Sequence, residues 1–501
     1  MRSSRRPTSS STSWRLALVA IALVAAGHGA AEAQTSRWDQ WPKSRPPRPL
    51  AAREVPFPPY EVRTLPNGLR VVVVPHHEQP SVTIRLLVGA GAAQDPAGKA
   101  GLATLVAALL DQGTTSRSAE QIADTIDFIG GAVGTGAGTD LSFVNIVVMR
   151  DSFDLGLELA SDLARHPTFR PEEIGRQLQQ ITSSLKVSYQ DPGYLASTIM
   201  DRLVYGFHPY GVPSAGTPES VASLTRDDLV TFHRDWFKAN NALIAVVGDV
   251  KGDEAFAAVS KVFGDWARGE LPAQRFTDPP QPTRRVVVVD RPGAVQTEIR
   301  AGNVAIARKH PDYMALDLTV KVLGGEGANR LQQVLRSQRS LTYGAQADLE
   351  ALRRTGSVVG ETNTRSEATG EALRVVVDEF SRIQREPVNE RELDGARDYL
   401  TGNFPLTIET PDAIALQVLN ALFYDLDLKE LATFRERVDA VTVEDVQRVA
   451  RGYLHPSRLS IVLVGDASVI TPQLKGAGFG EFEVITPDEL DLTAANFRRP
   501  R

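Results

Sequence analysis

Short runs in which every second residue is apolar, and runs that are apolar throughout, read as strands. They are Leu69–Val74 (LRVVVV), Ser81–Val88 (SVTIRLLV), Leu141–Met149 and Leu243–Val247 (LIAVV), and later RRVVVV from Arg284, QTEIRAGNVAI from Gln296 and Leu459–Val464. Asn67-Gly68 sets a hairpin turn between the first two short strands. Helical spacing takes over elsewhere. Leu102, Leu105, Val106 and Leu109 recur three and four apart between Gly101 and a closing Gly113. Ile122, Ile126 and Ile129 line a helix over 118–129, and Phe153–Leu163 reads as another. Pro171, followed by Glu172 and Glu173, opens a long helix to Tyr189 that Asp191-Pro192 ends. Thr225 and Asp228 form a helix-start pair before Leu229 and Phe232. Pro311–Leu323 is a further helix, and Leu323–Arg330 (LGGEGANR) is a glycine-rich turn into a helix ending at Gln338.

The pattern repeats. LIAVVGD at 243–249 is matched by LSIVLVGD at 459–466, and each follows a helix with an Asp-Leu or Asp-Val pair, at 228–229 and 445–446. A period of about two hundred residues is too long for a solenoid unit and reads as a duplicated domain. Pro-rich LPAQRFTDPPQPT at 271–283 has no apolar period and separates the copies. The expected organisation is two α+β domains, each a mixed or antiparallel sheet with helices on one face. They span residues 60–270 and 285–475, with a linker over 271–284 and a tail over 476–501.

The N-terminus changes the picture. Arg2, Arg5, Arg6 and Arg15 precede an apolar run from Leu16 to Ala26, and Ala31-Glu32-Ala33 fits the small-x-small cleavage rule. The run falls short of the ~20 residues a membrane-spanning helix needs. Residues 1–33 are therefore expected to be a cleaved export signal. The mature chain would start at Gln34 with an extended leader over 34–59, have no membrane span, and reside in a periplasm or otherwise outside the cytoplasm. The 501 residues contain no cysteine, which excludes disulfides, thiolate zinc sites and a cysteine nucleophile. Net charge is −6 without a basic block in the folded part, so nothing points to nucleic acid.

Several longer stretches resemble the pitrilysin/insulinase-like zinc metallopeptidases, specifically the two-domain branch that includes the mitochondrial processing peptidases. They are Leu65-Pro66-Asn67-Gly68-Leu69-Arg70-Val71, His208-Pro209-Tyr210-Gly211, Gly216-Thr217-Pro218-Glu219-Ser220-Val221, Gln296-Thr297-Glu298-Ile299 and Arg336-Ser337-Gln338-Arg339-Ser340-Leu341-Thr342-Tyr343-Gly344. The likeness covers roughly Arg63 to Asp466 and implies two domains facing each other as a clamshell, a half-chamber for peptides. Within the family the Gly-Leu-Ala…Gly-Thr frame carries His-x-x-Glu-His: two zinc ligands on one helix face with a general base between them. Here those positions hold Thr104, Ala107 and Ala108, and the third ligand position falls on Ser183 or Ser184. None supplies an imidazole or a carboxylate.

The family's second-domain arginine and tyrosine, which hold the substrate carbonyl and stabilise its oxyanion, are present as Arg336 and Tyr343. The plainer role for that pair is a helix cap and a half-wet packing residue. Gly324, Gly325 and Gly327 are candidate peptide contacts or, more plainly, a tight turn. Gly130–Asp140 stands where the family pairs substrate with an edge strand, but Gly134-Thr135 replaces its Asn-Ala. No two of the eight histidines have the spacing of one helix face, and His76-His77-Glu78 reads as a solvated turn.

The resemblance thus implies a non-catalytic, substrate-binding subunit of a heterodimeric periplasmic zinc metallopeptidase. Its partner would be a homologous subunit bearing His-x-x-Glu-His. Zinc is expected on that partner and no cofactor on this chain, which would be inactive alone. Arg336 and Tyr343 would act in trans. The alternatives are a scaffold or assembly protein with no proteolytic role, and a self-sufficient metallopeptidase. No nucleophile with its base supports the last.

Overall fold

The computed structural model describes residues 55–274, 276–325, 327 and 329–499. The export signal and the leader as far as residue 54 lie outside the described residues. Two six-stranded sheets organise the rest. The first comprises β1 (Glu61–Thr64), β2 (Arg70–Pro75), β3 (Ser81–Val88), β4 (Ala132–Ala137), β5 (Ser142–Met149) and β6 (Ala242–Gly248), in the order β1-β2-β6-β3-β5-β4. The second comprises β7 (Arg285–Asp290), β8 (Gln296–Val304), β9 (Ala345–Ala351), β10 (Gly356–Arg365), β11 (Ser460–Gly465) and β12 (Glu483–Ile485), in the order β12-β7-β11-β8-β10-β9. The repeat seen in the sequence is therefore a repeat of topology over five strands, β2-β6-β3-β5-β4 and β7-β11-β8-β10-β9, while the sixth is the antiparallel β1 in one sheet and the parallel β12 in the other. β6 and β11, the matched LIAVVGD and LSIVLVGD segments, hold the same place in their sheets. Each lies parallel to one neighbour and antiparallel to the next.

Helices of the first half are α1 (Leu102–Ala108), α2 (Ala119–Phe128), α3 (Phe153–Arg165), α4 (Pro171–Ser188), α5 (Pro192–Tyr205), α6 (Arg226–Trp236) and α7 (Gly252–Phe263). The second half supplies α8 (Tyr313–Gly324), α9 (Thr369–Arg385), α10 (Glu390–Asn403), α11 (Pro411–Phe423) and α12 (Val443–Tyr453). Their starts follow the local chemistry. Ser118 caps α2 by accepting from the Gln121 amide, and Thr225 caps α6 by accepting from Asp228 N.

The four-valine runs have a physical reason. Val71 and Val73 enter the core that the first half's own helices make on one face of sheet one. Val72 and Val74 enter a second core on the opposite face, where Ile414, Ala415, Val418 and Leu419 of α11 lie. Val286 and Val288 likewise face the second half's helices. Val287 and Val289 meet Leu195, Ala196 and Ile199 of α5. Strands buried on both faces need apolar residues at every position instead of alternating ones. Each half's own helices thus lie on one face of its sheet, as expected, and each lends one helix to the other sheet's second face.

Three expectations need correction. α1 ends at Ala108, because the amides of Leu109 and Leu110 turn back three residues, to Val106 and Ala107, and the helical ladder stops there. Asp191-Pro192 is a start as well as a stop: Asp191 caps α5 through the Tyr194 amide, with Pro192 at the first helical position. Residues 476–501, read as a tail, supply β12 and bury Leu490, Leu492 and Phe497.

Asp140, 7% exposed at the β4–β5 turn, ties the halves together. It accepts from the Tyr210 hydroxyl at 2.6 Å and from the Arg353 amide of the β9–β10 turn at 3.0 Å. The Arg354 amide donates to the Tyr210 hydroxyl at 3.3 Å. Burial pushes the Asp140 carboxyl up, and these donors pull it back. Tyr210→Phe leaves one carboxylate oxygen without its donor, at a cost of about 1–3 kcal/mol. The denaturant midpoint of the variant is expected to fall with an unchanged slope.

Candidate functional site

α1 is fixed at its start. Asp95 accepts from the Gly101 and Ala103 amides, both at 2.8 Å. Gly101 has φ 95°, and a Cβ there would meet the Ala215 carbonyl oxygen at 2.8 Å. A Cβ at Gly216 would meet the Ala100 carbonyl oxygen at 2.4 Å, so both positions need glycine for close backbone approach. Ser220 Oγ donates to Ala100 O at 2.8 Å. The Gly216–Val221 motif is thereby seated on the α1 start.

The face of α1 that would carry zinc ligands is clear from exposure. Thr104 and Ala108 are half-buried and Ala107 is fully buried. Thr104 Oγ1 donates to Ser214 O at 2.6 Å. α4 packs on α1, and Ser183 and Ser184 of α4 are exposed. The donor set is one hydroxyl already engaged with a carbonyl, two methyl groups and two serines, and it does not fit zinc, which takes imidazole, thiolate and carboxylate. No cluster of three or more His, Cys, Asp or Glu side chains suited to a metal occurs among the described residues. His77 instead pairs with Asp249, Nδ1 to Oδ1 at 2.6 Å. β4, beside α1, is an edge strand whose Gly134 has open space where a side chain would be.

Arg336 and Tyr343 sit on the second sheet. Arg336 lies in a wide π-helical turn, Gln332–Gln338, in which the Arg339 amide reaches back five residues to Val334 O at 3.1 Å. Such turns recur at functional sites. The chain leaves the turn through Ser340 at φ 52°, a left-handed conformation costing about 1–3 kcal/mol in a residue with a Cβ. The loop that follows is fastened. Thr364 Oγ1 donates to Leu341 O at 2.7 Å, Thr362 Oγ1 to Gly344 O at 2.8 Å, and the Ala345 amide to Gln332 Oε1 at 3.1 Å. From this fixed backbone Tyr343 projects 88% exposed. Arg336 is exposed and, among the described residues, has no carboxylate within ion-pair distance. Neither side chain caps or packs in the way the plainer reading required.

The glycines divide. A Cβ on Gly324 would meet the Ala347 amide nitrogen of β9 at 2.1 Å, and one on Gly325 would meet Lys321 Cα at 2.7 Å, so packing alone demands both. Gly327 is exposed at φ 85° with nothing near. All three line a cleft of about 630 Å³ together with Gly344, Asn363 and Arg300. The structure thus brings the glycine turn and Gly344 to Gln346 to one cleft, whose lining includes neither Arg336 nor Tyr343.

Sequence reasoning missed the carboxylates next to that cleft. Asp201 of α5 lies in a smaller cavity with Glu350, Asp348, Glu361 and Arg300. Burial, and then the Glu350 charge, push its carboxyl up to about 8. A carboxyl whose folded pKa lies above its unfolded value loses stability as pH rises from about 4 to 8, since only the unfolded chain ionises freely. Asp201→Asn should therefore match the parent in thermal midpoint at pH 4.5 and exceed it at pH 8. An equal difference at both values would contradict this assignment.

Known proteins place this architecture. The model for Insulinase (Peptidase family M16) matches residues 70–213, and that for the Peptidase M16 inactive domain matches residues 223–400. An uncharacterized zinc protease of Mycobacterium tuberculosis is 27% identical over 395 residues, 78% of this chain and 90% of its own length. The crystal structure of a peptidase M16 inactive domain from Pseudomonas fluorescens superimposes with a TM-score of 0.76 at 28% identity, covering 81% of this chain and 98% of that one. The first half of the periplasmic protease PqqL from Escherichia coli has the same fold, with a TM-score of 0.70 at 16% identity, covering 86% and 99%. This chain belongs to the insulinase family of peptidases, family M16.

Proposed function

We propose that the chain is the non-catalytic, peptide-binding subunit of a heterodimeric zinc peptidase, exported to a periplasm. The zinc, its water and the general base would belong to a homologous partner with an intact His-x-x-Glu-His helix. This chain would lend Arg336 and Tyr343, a guanidinium and a phenol that donate hydrogen bonds to an oxyanion.

The observation that carries the reading is the contrast between the two halves. The α1 face offers no ligand set, while Tyr343 stands 88% exposed on a loop held by side-chain hydrogen bonds from Thr362, Thr364 and Gln332. The phenol stands free of packing on a backbone that is itself fastened, which suits a group presented to something else.

The test is a quenched-peptide assay on the purified mature chain, alone and mixed with a zinc-bearing homologue from the same organism, with and without chelator. Cleavage only in the mixture, abolished by chelator, is the expected result. Chelator-sensitive cleavage by the chain alone would overturn it. Association of the two chains without cleavage would favour a scaffold.

A further inference from the structure

Next to the cleft lined by the glycine turn lies a second cavity of about 410 Å³, walled by α8, the π-helical turn, α9 and α10. Cationic side chains dominate its lining: Lys321, Arg330, Arg382 and Arg391, against Glu392 alone. Two of the cations are already engaged. Arg382 bridges Glu386 at 2.9 Å and Glu379 at 3.5 Å. Arg330 grips Glu392 with its Nε at 2.8 Å and its Nη2 at 2.9 Å, and the Asn389 amide holds the same carboxylate at 3.0 Å.

Arg330 nonetheless keeps one group free. Its side chain is 5% exposed, and Nη1 is buried without any hydrogen-bond partner. A buried charged donor is expected to be satisfied, and the Glu379 carboxyl, which feels the Arg330 charge, likewise keeps one buried oxygen without a partner. Lys321 and the exposed Arg391 line the same cavity, and neither has a carboxylate within ion-pair distance among the described residues, although Lys321 feels the charge of Asp317. The cavity therefore presents an anion with the Lys321 and Arg391 charges beside an incompletely paired guanidinium.

Lys321, Asn329 and Tyr399 line both this cavity and the glycine-lined cleft. A chain lying in the cleft could reach the cavity with a side chain. We infer that the cavity is a subsite for a carboxylate carried by an acidic residue of a bound peptide, so that the substrate class is peptides with Asp or Glu beside the segment held in the cleft. This rests on the peptide-binding reading above.

The mature chain would be titrated with glutarate, neutral glutaramide and inorganic phosphate at constant ionic strength, following the thermal midpoint. It would then be titrated with two labelled decapeptides that differ only in one central Glu or Gln. Expected are a rise in midpoint with glutarate and not with glutaramide, and at least tenfold tighter binding of the Glu peptide. Both effects should shrink in Arg391→Ala, a change at a side chain that lines the cavity and not the cleft and has no ion pair among the described residues, while binding of the Gln peptide stays the same.

A midpoint raised by phosphate and not by glutarate would overturn the carboxylate in favour of phosphate, and no response to any anion would overturn the subsite. Glutarate binding with equal affinity for the two peptides would overturn delivery by a peptide and leave the proposed function standing. Binding of neither peptide, with glutarate still bound, would overturn peptide binding itself.

Discussion

In the reconstituted pair, Tyr343→Phe is expected to lower kcat/KM on the order of 10²-fold, as loss of one oxyanion donor does elsewhere. The effect should fall on kcat more than on KM, because a hydrogen bond made to developing charge is strongest in the transition state. Arg336→Ala should cost a similar factor and also raise KM, since a guanidinium can hold the ground-state carbonyl as well. Neither change should disturb folding. Tyr343 is 88% exposed, and the loop around it is fastened through Thr342, Thr362, Thr364 and Gln332 rather than through the phenol. Thermal midpoints equal to the parent's, together with lost activity, would separate function from stability. Unchanged kinetics in both variants would move the scaffold reading ahead.

The second large effect concerns α1. Ala107, at the position the resemblance assigns to a general base, is fully buried. Ala107→Glu would add a carboxylate and one methylene to a packed helix interface, and about 3 kcal/mol of stability should be lost from overpacking and desolvation together. Thr104→His and Ala108→His, at half-buried positions, should be tolerated far better. The triple variant would then be limited by the glutamate. A denaturant series over the three single changes checks the order. If Ala107→Glu were as stable as the parent, the helix would have kept room for its former base, and zinc binding could be restored by few substitutions.

Much of this was visible before any coordinates. The likeness to the family rests on local motifs, and the family models match residues 70–213 and 223–400. The strand repeats and the Ser118 and Thr225 caps follow from local chemistry. What stayed hidden depends on contacts distant in sequence. α5 was passed over because Pro192 was taken as a terminator, although Asp-Pro is also how a helix begins. The Asp140–Tyr210–Arg353 tie joins residues 70 and 213 positions apart. The same is true of Arg330, whose partner Glu392 lies 62 residues on. Periodicity also overran the end of α1, because Leu109 and Leu110 remain in the apolar pattern after the hydrogen-bond ladder has stopped. Four valines in a row read as strands, but only the structure shows that both faces are buried and which helix covers the second one.

That second face has a consequence for how the protein can be divided. α5 belongs to the first half of the chain and lies on the second sheet, while α11 belongs to the second half and lies on the first. A protease that cut the proline-rich stretch at 271–284 would break a covalent bond and leave the pieces holding each other by mutual insertion. Either piece expressed alone would carry an apolar helix with no sheet to cover and an apolar sheet face with no helix to cover it. The halves are copies in topology, but they have exchanged hostages, and a lineage that did so can no longer separate them into two independent proteins at the linker.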